Sequence, residues 1–132
     1  MSKYLVDTTV IIDHLRGNKK ATTLLGKFNP YISVVTIAEV IQGSKDKREQ
    51  GIAIRVCTSF PQFNIDKKIC DSAVGLMEEF YLSHGLKFLD ALIAATALDS
   101  KLMLITGNLK HFKFIKELKV ISQKEALRFS RN

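Results

Sequence analysis

Asp7, Glu39 and Asp90 are acids standing where the surrounding sequence is apolar. Asp7 directly follows Leu5 and Val6 and precedes Val10, Ile11 and Ile12; Glu39 lies in Ser33-Val-Val-Thr-Ile-Ala-Glu-Val-Ile41; Asp90 opens the apolar run from Ala91 to Leu98. Carboxylates are rarely buried unless they are paired or bound to a metal. No basic residue adjoins any of the three in sequence. Three convergent carboxylates would repel one another unless a divalent cation neutralised them, and ligation by oxygen alone points to Mg²⁺ or Mn²⁺ rather than zinc. Each acid also has a structural alternative. Asp7 could cap the helix that follows it, Thr36 and Glu39 have the spacing of a capping box, and Asp90 could cap its own helix.

Other catalytic patterns are weaker. His14, His84 and His111 are scattered, with no His-x-x-x-His pair and no triad order, and read as surface or half-buried imidazoles. Neither Gly-x-Gly-x-x-Gly nor a Walker A sequence occurs, which removes the main signature of the nucleotide-binding folds. A haloacid-dehalogenase phosphatase would also begin with a strand and an Asp, but needs a second Asp two residues on, where this chain has Thr9.

The elements that must position these acids alternate along the chain. The sequence predicts a strand at Lys3–Val6, a helix at Thr8–Leu15 closed by Gly17, and a helix at Lys19–Lys27. A strand at Tyr31–Val35 is followed by helices at Ile37–Gln42 and Lys45–Ser59. A strand at Gln62–Ile65 and helices at Lys67–Ser83 and Leu89–Ser100 come next. The chain then reads as a strand at Lys101–Thr106, a helical turn near Leu109–Phe114, a strand at Leu118–Ile121 and a helix at Lys124–Phe129. Alternation of this kind indicates an α/β fold with a parallel sheet covered by helices, whose ligand site lies beyond the carboxyl ends of the strands. Asp7 fits that placement directly.

At 132 residues one domain is expected. The longest apolar stretches are broken by Asp, Thr or Lys, too short to span a bilayer, and the first segment carries two acids where a signal peptide would be apolar. Cys57 and Cys70 lack metal-ligand spacing and read as reduced thiols of a cytoplasmic protein. The net charge is +7. It is concentrated: residues 101–132 carry eight bases (Lys101, Lys110, Lys113, Lys116, Lys119, Lys124, Arg128, Arg131) against Glu117 and Glu125. Such a segment attracts polyanions, although a solvated surface would have the same composition.

The motifs resemble those of the PIN-domain family and, within it, the VapC-type toxins of prokaryotic toxin–antitoxin pairs. Tyr4-Leu-Val-Asp-Thr-Thr-Val-Ile-Ile-Asp13 looks like the opening strand with its Asp-Thr motif, and Ser33 through Gly43 like the second motif with Glu39 as its acid. Leu89-Asp-Ala-Leu-Ile-Ala-Ala-Thr-Ala97 is the most specific match, and Leu104-Ile-Thr-Gly-Asn-Leu-Lys-His-Phe112 resembles the fourth motif. The resemblance covers essentially the whole chain as a single PIN domain, 1–132, a three-layer fold with a central parallel sheet of four to five strands. It implies an endoribonuclease dependent on Mg²⁺ or Mn²⁺, with Asp7, Glu39 and Asp90 as metal ligands, direct or through water. Asn108 takes the place of the fourth acid, and Thr8 and Thr106 orient the site or the scissile phosphate. Asp13, Asp99 and His111 are peripheral on this reading. Lys110 and Lys113 would bind RNA; Phe112 and Phe114 are packing residues or base-stacking ones.

The partners so implied are RNA, a small antitoxin protein and a second copy of the chain, with no membrane. The helices at Thr22–Phe28 and Ile37–Ile41 are the candidate antitoxin contact. Two alternatives stay open: an RNA-processing nuclease without an antitoxin, and a catalytically weak RNA-binding module of which Asn108 would be the symptom.

Overall fold

The computed structural model describes residues 2–129, so Arg131 of the basic segment lies outside the described residues. Five parallel strands form its centre. β1 (Tyr4–Val6), β4 (Met103–Thr106) and β5 (Val120–Ser122) make a three-stranded sheet in the order β1-β4-β5, and β2 (Ile32–Ser33) pairs with β3 (Gln62–Phe63). A bridge between Leu5 and Tyr31, with Tyr31 N–H donating to the Tyr4 carbonyl, ties the smaller sheet to β1. The expected four to five strands are therefore present, but as three plus two. β2 and β3 are only two residues each, because β2 gives way at once to a helix.

Helices α1 (Thr8–Leu15), α2 (Lys19–Phe28), α3 (Val34–Gln42), α4 (Lys47–Thr58), α5 (Lys67–His84), α6 (Phe88–Ser100) and α7 (Gln123–Phe129) surround the sheet. Period-two alternation along the strands sorts the core into two parts. Leu5 and Leu104 pack with α5, α6, Phe112 and Ile115, whereas Val6, Ile105 and Ile121 pack with α1, α2, Val40 and Ala126. Helix α6 is buried continuously from Ala91 to Ala97, as an all-round apolar helix must be. Cys57 is buried and Cys70 exposed. Among the described residues no helix is long and apolar enough to cross a membrane.

The strand order sets where a ligand site belongs. From β1 the chain runs outward to β2 and β3 on one side, then returns to β4 and β5 on the other. The switch point lies between β1 and β4, and the crevice beyond their carboxyl ends is the preferred binding position in open α/β sheets. Asp7 follows β1 directly, and Gly107 and Asn108 follow β4.

Candidate active site

None of the three acids caps a helix in the way that would have explained it. Asp7 stands at the N-cap position of α1, but its side chain makes no capping hydrogen bond. Helix α3 begins at Val34, three residues earlier than expected, with Ser33 Oγ accepting from Val35 N–H. Thr36 and Glu39 thus sit inside the helix, and the Thr36–Glu39 capping box does not form. Helix α6 is capped by the backbone of Lys87, leaving Asp90 in the first turn.

Asp7 is only 4% exposed. Two hydroxyls hold it: Thr9 Oγ1 donates to Oδ1 at 2.5 Å and Thr106 Oγ1 donates to Oδ2 at 2.8 Å. Each hydroxyl is itself fixed by a backbone donor after β4, Gly107 N–H to Thr9 Oγ1 and Asn108 N–H to Thr106 Oγ1, both at 2.9 Å. The approach at Gly107 is close: a Cβ there would stand 3.0 Å from Thr9 Oγ1. Burial pushes the Asp7 carboxyl up to about 6, the Thr9 and Thr106 hydrogen bonds pull against that rise, and the charge of Asp90 adds to it.

Asp90 lies in wetter surroundings, with its side chain 24% exposed. Burial again raises its pKa; His111 and Lys87 oppose the rise, and Glu39 adds to it. His111 Nδ1 stands 3.3 Å from Asp90 Oδ2, and Asn108 Nδ2 stands 3.0 Å from His111 Nε2. The Asn108 amide nitrogen can only donate, so Nε2 is the acceptor in that pair, and Nδ1 is the ring nitrogen turned toward Asp90. A chain of contacts therefore runs Asp7–Thr106–Asn108–His111–Asp90, hydrogen bonds as far as His111 and a 3.3 Å approach of Nδ1 to Asp90 at its end. His111 is not peripheral: it links the fourth-motif Asn to the third acid. The sequence signal was its spacing of three from Asn108, which a helical turn converts into contact.

Glu39 is anchored on the other side. Thr8 Oγ1 donates to Glu39 Oε1 at 2.6 Å, and so receives the hydrogen bond it shares with Thr36 Oγ1 at 3.0 Å. Asp90 accordingly occupies the middle of a chain of repelling charges, with Asp7 on one side and Glu39 on the other. Among the described residues, no three His, Cys, Asp or Glu side chains gather so as to hold one metal ion directly. This still fits a small hard cation. Mg²⁺ keeps several waters and is commonly held by one or two carboxylates plus substrate phosphates. Among the described residues Asp7 makes no ion pair, so its charge lacks the partner that a buried carboxylate ordinarily has.

Asp13 and Asp99 have other partners, accepting from Gln123 Nε2 and Ser72 Oγ respectively. Phe112 is fully buried and serves the core, whereas Phe114 is half-buried and stacks on His84. Lys110 lines a small recess beside Asp90; Lys113 is exposed and is not among the side chains lining it. Thr9 was missed in sequence because hydroxyl donors to a carboxylate have no characteristic spacing.

Known proteins share this sequence pattern and fold. A family model described as the PIN domain matches residues 4–117. The chain is 38% identical to Ribonuclease VapC10 of Mycobacterium tuberculosis over 120 residues, 87% of this chain and 90% of that protein. It superimposes on a toxin–antitoxin complex from Klebsiella pneumoniae with a TM-score of 0.76 at 32% identity, covering 91% of this chain and 97% of the other. A DNA-bound VapBC structure from Salmonella typhimurium, at 20% identity and a TM-score of 0.79 over 93% and 99% of the two chains, shares the fold.

Proposed function

The chain belongs to the PIN-domain family, and on that premise we propose that it is an endoribonuclease dependent on Mg²⁺ or Mn²⁺, the toxin of a toxin–antitoxin pair acting in the cytoplasm. The observation that carries the reading is the chain of side-chain contacts joining Asp7 to Asp90 at the switch point of the sheet. Asp7 and Asp90 would hold the cation, with Glu39 reaching it through water. When bound, the ion shields phosphate charge and makes water a stronger nucleophile at neutral pH.

The protein's own residues do the positioning. Thr9 and Thr106 fix both oxygens of Asp7 in one orientation, and Thr8 holds one oxygen of Glu39. Asn108 offers a neutral amide where a fourth acid would stand, so the site favours one tightly held ion. Lys110 supplies positive charge for the RNA backbone on the Asp90 side, with Lys113 farther out. Hydrolysis by water, without a 2′-hydroxyl nucleophile, leaves 5′-phosphate and 3′-hydroxyl ends.

Of the two candidate antitoxin helices, we favour the second, α3, as part of the contact. The apolar side of α2 is spent in the core, where Leu24 and Leu25 are buried and Phe28 packs edge-on against Tyr4. An open groove of about 440 Å³ lies instead between α1, α3 and α4, with Ile12, Leu15, Val40 and Ile52 on its walls and Arg16 and Arg48 among its charged groups. That groove suits an amphipathic antitoxin segment. Exposed Tyr81, Leu82, Phe88 and Leu89, around the α5–α6 turn, are the surface for a homodimer.

The test is cleavage of a defined single-stranded RNA with Mg²⁺ and with a chelator, followed by end analysis. Cleavage only with the metal, yielding 5′-phosphates, is expected. Equal cleavage under chelation, or 2′,3′-cyclic phosphate products, would refute the mechanism.

A further inference from the structure

Beside the carboxylates, the α5–α6 turn and the 3₁₀ turn at Leu109–His111 enclose a recess of about 140 Å³. His84 and Lys87 form one wall, Lys110, His111 and Phe114 the other, and Asp90 is shared with the site just described. Whatever occupies the recess therefore continues into the space in front of Asp90. Its volume is well below the roughly 300–1,000 Å³ of pockets that enclose a whole small ligand. The recess takes one group of a longer molecule.

Charge specifies which kind of group. Lys87 and Lys110 are exposed, and among the described residues neither makes a salt bridge. Two ammonium groups against the single carboxylate of Asp90 leave a surplus that favours an anion, and a cation held at Asp7–Asp90 would increase it. Shape adds a second requirement. The His84 imidazole lies parallel to the Phe114 ring, with centroids 4.3 Å apart and 10° between planes, and Phe80 braces Phe114 edge-on at 5.2 Å. His84 is exposed, so a braced aromatic plane stands at the mouth of a cationic recess. Stacking planes beside backbone-neutralising lysines are how single-stranded nucleic acids are held.

We propose that this recess is a nucleotide subsite, in which Lys87 and Lys110 take a phosphate flanking the scissile one and the His84–Phe114 pair stacks the attached base. The proposal rests on the ribonuclease reading and adds His84 and Lys87 to the RNA-binding surface.

The experiment measures binding of a fluorescent single-stranded RNA dodecamer to the whole protein by anisotropy across salt, alongside cleavage in Mg²⁺. Lys87→Ala should weaken binding roughly tenfold and lower the slope of log affinity against log salt by about 0.7. Lys87→Arg should restore both. His84→Ala should weaken binding about fivefold or more through lost stacking while leaving the slope unchanged. Lys68→Ala, sixteen residues before His84 on α5 and roughly 24 Å away by helix rise, is the control and should change neither. An unaltered slope in Lys87→Ala, or an equal loss in Lys68→Ala, overturns the subsite. Selective loss of antitoxin affinity in Lys87→Ala, with RNA binding intact, assigns the recess to a protein partner and overturns it likewise. Binding without cleavage would instead refute the ribonuclease reading while the variant slopes still decide the subsite.

Discussion

Asp7 and Asp90 are the same residue type at the same site, yet the protein treats them differently. Asp7 is sealed between β1 and β4 and held by two neutral hydroxyls, whereas Asp90 stands 24% exposed beside His111 and Lys87. Burial dominates at both, but at Asp90 it is opposed first by the neighbouring His111 and at Asp7 only by hydrogen bonds. The contrast separates two duties. Asp7 is a fixed anchor whose ionised form is costly, and Asp90 is the adjustable member facing the basic recess.

The largest expected effect breaks the anchor. Asp7→Asn should lower cleavage by roughly a thousandfold while raising the stability of the metal-free protein at neutral pH. The sign follows from the raised pKa. Between the unfolded value of 3.8 and about 6, the folded state binds the proton more tightly, so the wild type loses stability as pH rises through that window. Above it the full penalty is present, on the order of 3 kcal/mol. Thermal melts in chelator should therefore show Asp7→Asn above wild type at pH 7.5 and near it at pH 4. A variant less stable than wild type at pH 7.5 would mean that Asp7 serves mainly as structure.

The next effect tests the adjustable side. His111→Ala removes the link between Asn108 and Asp90 and should reduce cleavage about 10- to 100-fold, the usual cost of losing an orienting partner of a metal ligand. His111→Gln, which keeps a donor, should recover part of it. Equal activity in His111→Ala would show that Asp90 needs no orientation.

Much of this was legible in the sequence. The termini of α1 fell where expected, and α5 and α6 were each placed within a residue, because Gly85 and the continuous apolar run after Asp90 leave little choice. The start of α3 was not, since Ser33 caps it and the β-branched Val34 and Val35 disguise its first turn as a strand. The three acids were recognisable because each stood unpartnered in apolar sequence. Their arrangement as a chain depends on contacts across as many as 99 residues, such as Thr106 to Asp7, and Thr9 is itself fixed by Gly107, 98 residues away. No local pattern encodes those.

Smaller effects sharpen the comparison. Asn108→Asp should lower the Mg²⁺ concentration for half-maximal cleavage severalfold, because a carboxylate repays cation dehydration better than an amide does. An unchanged requirement would place Asn108 outside the cation's reach. Lys110→Ala should reduce the salt slope of RNA binding by about 0.7, and Lys113→Ala, whose side chain does not line the recess, by less. Equal slopes would remove the distinction between the two lysines.

The most direct test of the central claim is calorimetric titration of wild type, Asp7→Asn and Asp90→Asn with Mn²⁺ in the absence of RNA. One ion per chain should bind the wild type, and either substitution should abolish that binding. Indistinguishable isotherms for all three proteins would contradict the claim that Asp7 and Asp90 hold one divalent cation between them.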